Sequence, residues 1–349
     1  MLDESKLTDT IARKMSESYS KAITGSTGHI GETLVRRLLE EPGEVRALIR
    51  KSPGSLPDKA VKIPGDLRDP ASLRDAFKGC REVYNLAAII SLSGDPDGQV
   101  WKTNVEGARN VAQAAADAGV ERLIHCSSIQ AFVSPGAEGH LTENAERSLA
   151  ASCPVYDRSK AAAEEAVREV ADQSDLEVVI INPSSVIGPF DFRPSRAGQL
   201  LLDLYHRKIP MLPPGGVDWV DVRDVAEGAR LAARHGKPGR NYLLGGNWHR
   251  ILELAKIATQ SVNRFSPLPC PTWLVRGAIP FVSGWSKLRG TTPVLNHEAL
   301  NVLEQSPRID TTRARTELGY TPRPLSETIE DSYRFFADHG IIERPEKKG

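Results

Sequence analysis

Short apolar runs alternate with amphipathic stretches along the first half of the chain. Ser20-Lys-Ala-Ile-Thr24 is a β-prone run that leads at once into Gly25-Ser-Thr-Gly28-His-Ile-Gly31. Over 32–40, Leu34, Val35, Leu38 and Leu39 fall on one helical face, and Pro42-Gly43 ends the helix. Further strands are predicted over Val45–Ile49, 60–63 and 82–88, with buried-strand candidates at Arg122–Cys126 and 176–181. Helices are predicted over Pro70–Phe77 and 105–118. Strands alternating with helices of this length predict an α/β fold built on a doubly wound parallel sheet.

The second half reads differently. Residues 189–216 are rich in proline and glycine around a helical piece at 198–207, and 248–305 is helix-prone with proline breaks. The apolar stretch 273–285 is interrupted by Arg276 and is too short to span a bilayer. A helix packed in the C-terminal region is the reading preferred over a membrane contact. At the other end, Leu7, Ile11 and Met15 recur at helical spacing, and the first twenty residues lack the apolar core of a signal peptide.

Composition narrows the function classes. The chain has 349 residues, enough for one large domain or two interlocked ones. Lys plus Arg equals Asp plus Glu, so the net charge is zero and the main reason to propose a nucleic-acid partner disappears. Cys80, Cys126, Cys153 and Cys270 are far apart with no Cys-x-x-Cys, which argues against a structural zinc site and for reduced thiols in a cytoplasmic protein.

The candidate chemistry starts at the first turn. Gly25 would allow the tight turn, Gly28 would let backbone approach a pyrophosphate, and Gly31 would let helix pack close on sheet. The helix N-terminus then offers unpaired N–H groups to the phosphates. Later come Gly65-Asp66-Leu67, Asn85-Leu-Ala-Ala88, Asn104-Val-Glu-Gly107, Ser127-Ser128-Ile-Gln-Ala-Phe132, Tyr156-Asp-Arg-Ser-Lys160 and Asn182-Pro-Ser-Ser-Val-Ile-Gly-Pro189. The last are Val220-Asp-Val-Arg-Asp-Val-Ala226 and Leu318-Gly-Tyr-Thr-Pro322.

Taken in order, these segments resemble the extended short-chain dehydrogenases/reductases, most closely the dihydroflavonol-reductase-like and 3β-hydroxysteroid-dehydrogenase-like branch. The resemblance implies a Rossmann domain over 20–188 and 217–246. It also implies a smaller, mostly helical substrate domain over 189–216 and 247–322, after an extension at 1–19 and before a C-terminal helix and tail at 323–349. It implies a catalytic set of Ser128, Tyr156 and Lys160, with Ser127 as second choice for the hydroxyl. It further implies cofactor contacts from Gly25, Thr27, Gly28, His29, Ile30, Gly31, Asp66, Leu67, Ala87, Ala88, Asn104, Lys160, Pro183 and Val186. Three positions depart from the family pattern: Phe132 for the usual tyrosine, Asn85 for a frequent histidine, and Asn182 for a frequent arginine.

Tyr156 and Lys160 stand at i and i+4, so a helix presents both on one face. A nearby ammonium favours the phenolate of a tyrosine, whose reference pKa is about 10. Arg50-Lys51 follows the second strand with no acid until Asp58, which predicts a preference for NADP(H) through Arg50, with NAD(H) as the second candidate. The expected activity is carbonyl–alcohol interconversion on a small, fairly apolar substrate. A nucleotide-sugar epimerase or dehydratase is the alternative, and a homodimer is left open. Gly215-Gly-Val-Asp-Trp-Val lacks the arginine that often meets nucleotide phosphates in that alternative group.

Overall fold

The computed structural model describes residues 19–91, 94–277 and 297–344. The expected N-terminal helix around Leu7, Ile11 and Met15 lies outside the described residues, as do Phe281 and Trp285.

Seven parallel strands form the main sheet: β1 (Ser20–Thr24), β2 (Val45–Ile49), β3 (Val61–Pro64), β4 (Cys80–Asn85), β5 (Arg122–Cys126), β6 (Glu177–Pro183) and β7 (Asn241–Leu244). Their spatial order is β3-β2-β1-β4-β5-β6-β7, so the winding reverses between β1 and β4. That reversal opens a crevice at the carboxyl ends of the two strands, where ligands of doubly wound sheets bind. The helices on its faces are α1 (His29–Leu38), α2 (Pro70–Phe77), α3 (Gly107–Asp117), α4 (Val155–Ala171) and, after the second strand set begins, Val222–His235. Leu34, Val35 and Leu38 of α1 share one core with Val225, Ala226 and Ala229, while Phe77, Val111 and Val167 share the core of the opposite face.

Among the boundaries that differ from the sequence expectation, two bear on the site. The strand expected over 82–88 stops at Asn85: the Leu86 N–H still donates to the Thr24 carbonyl (3.3 Å), and the backbone then leaves the ladder. The helix expected over 105–118 is regular only from Gly107, preceded by a wide π-turn at Lys102–Glu106 that a periodicity pattern does not distinguish.

A second core gathers the remaining elements. Gly216–Asp221 lies between Ser185–Ile187 (parallel) and Asn247–Arg250 (antiparallel) in its own three-stranded sheet. Leu201, Leu204, Leu254, Ala258, Ile329, Tyr333 and Phe336 pack there, from helices Arg196–Tyr205, Ile251–Ser261 and Leu325–Asp338. Trp273 does not join this core: it is 72% exposed, on a short helix tethered by the Arg276–Glu304 ion pair (2.8 Å) rather than by its apolar face. Among the described residues no helix is long and apolar enough to cross a membrane.

Close approach at the start of α1 fixes how helix meets sheet. A Cβ on Gly31 would sit 2.1 Å from the Gly25 carbonyl oxygen, a contact that only backbone movement relieves. Gly31→Ala is therefore expected to cost about 1–3 kcal/mol of stability, as overpacking does. A urea midpoint equal to that of the parent protein would contradict this packing.

Candidate active site

The turn from β1 into α1 is tight at both ends. Gly25 has φ +66, and a Cβ there would lie 2.7 Å from the Ala87 nitrogen. The Gly28 N–H donates to the Gly25 carbonyl (3.0 Å), and Gly28 caps α1 without any side-chain hydrogen bond. Thr27 is half-buried on the turn, and Ile30 packs onto the main core. The His29 Nε2 lies 2.8 Å from the Pro189 carbonyl, tying the turn to the segment that leads into the second core. Glu32, the buried acid of α1, is taken by Arg36 (2.9 Å) and by the Ser55 hydroxyl (2.8 Å).

Arg50 is exposed at the end of β2. Its charge reaches Asp66, whose carboxyl is held down at about 2, first by the hydrogen bond from Arg68 and with a smaller contribution from Arg50. Leu67 lies beneath Gly107, and its carbonyl accepts from Asn110 (2.9 Å).

The stretch after β4 is held from two sides. Ala87 N–H donates to the Thr24 hydroxyl (3.4 Å), which itself donates to Asn85 Oδ1 (2.7 Å). Asn85 continues to His125 Nδ1 (3.1 Å), so a buried polar chain crosses β1, β4 and β5. Burial, then the Lys160 and Arg168 charges, drives the His125 pKa far below its ordinary value, so the ring is neutral. Ala88 follows, and Asn104 braces Ile89: its Oδ1 accepts from the Ile89 N–H (2.8 Å), and its Nδ2 donates to the Ile89 carbonyl (3.0 Å) and to Ser159 Oγ (2.9 Å). Ser159 in turn donates to the Tyr156 carbonyl (2.7 Å). Asn104 thus pins this stretch to the helix that carries Tyr156.

Ser128, Tyr156 and Lys160 come together just beyond β5. Ser128 opens a short 3-10 turn, its Oγ accepting from the Gln130 N–H (3.2 Å), and its side chain acts on the Tyr156 phenol. Neighbouring Ser127 is also buried, but its Oγ has no hydrogen-bond partner. One turn on from Tyr156, the Lys160 ammonium is 3% exposed and donates to the Cys126 carbonyl (2.8 Å). Burial lowers its pKa, opposed by Cys126 and Glu164. Burial raises the Tyr156 phenol well above its ordinary value, with Cys126 and Asp157 adding to that and Ser128 acting against it. Pro183 ends β6, and Val186 packs against the main core from the next strand.

These residues fit a dinucleotide. Gly25 and Gly31 leave no room for a Cβ, the first amides of α1 lack a side-chain cap, and the buried Ser127 hydroxyl stands unpartnered at the carboxyl end of β5. Sequence reasoning missed Glu164, Arg147 and Asn241, which surround this centre. The continuation of the Tyr156, Lys160 spacing to Glu164 was the one signal within reach.

Comparison with known proteins agrees with the geometry. A model of the NAD dependent epimerase/dehydratase family matches residues 22–245. The chain belongs to that family, within the extended short-chain dehydrogenases/reductases, and is an NAD(P)-dependent enzyme. It is 34% identical over 328 residues (92% of this chain, 99% of the relative) to "Sterol demethylase protein B" of Methylococcus capsulatus. It is 26% identical over 334 residues (89% and 95%) to the 4-hydroxy-2-methyl-3-oxo-4-farnesyl-3,4-dihydroquinoline-1-oxide ketoreductase of Stigmatella aurantiaca. Among solved structures, that of gox2253 has a TM-score of 0.78 at 31% identity, covering 93% of this chain and all of that one.

Asp157, beside the phenol, gives the site a pH signature. Burial raises its carboxyl to about 6. An acid with a raised folded-state pKa favours folding below its unfolded pKa of about 4, and that contribution is lost as pH rises through about 6. Asp157→Asn is therefore expected to melt higher than the parent at about pH 8 and to match it below about pH 4. Equal melting temperatures at the higher pH would contradict the assignment.

Proposed function

We propose that the enzyme reduces the carbonyl of a small apolar molecule to an alcohol, with NADP(H) as the preferred cofactor and Tyr156 as proton donor. The carrying observation is that Tyr156 stands one helical turn before Lys160, which is buried and whose ammonium donates to the Cys126 carbonyl beside the Ser127-Ser128 segment. In the cofactor-binding crevice, the nicotinamide supplies or takes the hydride. Ser128 orients the substrate oxygen, and the phenol, which burial keeps protonated, gives its proton to that oxygen as charge develops there. Lys160 would stabilise the phenolate left behind and would hold the nicotinamide ribose.

The apolar substrate class is supported by the sterol and farnesyl groups in the names of the two relatives. It is also supported by Gly216–Asp221, a buried strand whose one charged group before Asp221, Asp218, is engaged by Ser184 (2.6 Å) and the Gly246 N–H (2.8 Å). That strand offers no cation to a nucleotide diphosphate.

Tyr156→Phe is expected to abolish turnover while leaving cofactor affinity close to that of the parent, and Lys160→Ala to weaken both. Ser128→Ala should slow the reaction by about tenfold to thousandfold. A Tyr156→Phe enzyme of near-normal rate overturns the reading.

Arg50 supports the NADP(H) preference, since it is the cation at the end of β2 where NAD-specific folds carry an acid. Dissociation constants should favour NADPH over NADH, and Arg50→Glu should reverse the order. Tighter NADH binding by the parent enzyme would contradict the preference.

A further inference from the structure

Behind the catalytic helix lies a buried ionic cluster that the reaction scheme above does not use. Its centre is Glu164, two turns beyond Tyr156 and one beyond Lys160 on α4, and buried. Glu164 Oε2 is 2.9 Å from Arg147 Nη1 and 4.0 Å from Arg168, and accepts from Asn241 Nδ2 (2.9 Å). Glu164 Oε1 accepts from Asn182 Nδ2 (2.7 Å), and that same amide donates to the Ser128 carbonyl (3.0 Å). Asn241 closes the ring by donating to Asn182 Oδ1 (2.8 Å) and accepting from Arg147 (3.0 Å) and Arg168. Arg147 also stacks on Phe132, 4.0 Å from its ring centroid, and bridges to it through the backbone. The segment Ser128 to Phe132 is thus gripped at both ends by side chains that converge on one carboxylate.

A buried carboxylate amid two guanidiniums and two amides is costly to assemble, and removing one member leaves the others unpaired. Stability alone accounts poorly for its placement, because the cluster touches the Ser128 backbone and sits one turn from Lys160. We propose that Glu164 is a positioning residue: through Asn182 it sets the Ser128 loop, and it places a buried carboxylate on the face of α4 that carries Tyr156 and Lys160. The proposal rests on the catalytic reading given above. It also explains the missing arginine before Pro183. Asn182 fits there because Arg147, from the segment ahead of α4, supplies the guanidinium instead.

The charged and titratable groups around Lys160 leave Glu164 as the anion that answers its charge. On β5, His125 is neutral, and the Cys126 thiol is pushed up to about 11 by burial and so stays protonated. On α4, Tyr156 stands one turn before Lys160, Asp157 acts on Tyr156, and Arg168 turns to Asn241. Arg147 faces Glu164 and not the lysine.

Removing an anion eases proton loss from the Tyr156–Lys160 pair, whichever of the two gives it up. In Glu164→Gln, which keeps the volume, the alkaline limb of the reduction rate should move down by about one pH unit. The pH at which NADPH affinity falls, read by fluorescence without turnover, should move with it. Glu164→Asp should return both toward the parent. Asn182→Ala, which removes the amide that holds the Ser128 carbonyl, should lower kcat by about tenfold or more with the NADPH dissociation constant unchanged. A purely architectural cluster would lower the melting temperature and leave both pH midpoints in place. Unmoved midpoints in a folded Glu164→Gln protein, or a normal kcat in Asn182→Ala, overturn the proposal. If Tyr156→Phe is inactive in the same experiments, such a result removes the role of Glu164 and leaves the catalytic reading standing.

Discussion

A primary ammonium held in the protein interior sets the terms for the surrounding structure. Lys160 has left water, and a buried charge is tolerated only where its hydrogen bonds and counter-charge are supplied. The Cys126 carbonyl at the end of β5 takes one N–H, and Glu164 answers the charge from the next turn of the same helix. Both demands fix how α4 lies on the sheet. With α4 fixed, Tyr156 is held one turn before Lys160, next to the segment that opens at Ser128.

The same economy governs the crevice beside it. The reversal of winding between β1 and β4 makes the opening, and small polar side chains hold its walls apart. Thr24, Asn85 and His125 link three strands, while Asn104 fastens the stretch after β4 to the tyrosine helix. His29 joins the glycine turn to Pro189, the start of the path into the second core. Beside that hydrogen bond, Arg36 of α1 stacks on Phe190 and Phe192, which pack against the second core.

Much of the main sheet was legible in the sequence, because its strands are apolar, short and punctuated by glycine and proline. The turn at Gly25, Gly28 and Gly31 and the pair Tyr156 and Lys160 were legible for a related reason: each is a local spacing. The Glu164 cluster was not, since Arg147, Asn182 and Asn241 meet it from segments far apart in the chain, and no local pattern records that meeting. The strand Gly216–Asp221 shows the same limit. Its apolar character marks it as buried, but its partners in a separate small sheet follow from tertiary pairing. Asn104 is intermediate: its position was visible, whereas its grip on Ile89 depends on a π-turn that periodicity blurs.

The account stands on the claim that this site delivers a hydride from the nicotinamide to a carbonyl carbon while Tyr156 protonates the oxygen. Single-turnover reaction with NADPH deuterated at C4 of the nicotinamide, followed by mass analysis of the product of an apolar ketone, tests it directly. The account predicts deuterium on the new carbinol carbon, with one NADPH oxidised for each alcohol formed. Unlabelled product, or conversion of substrate without net oxidation of NADPH, would contradict it.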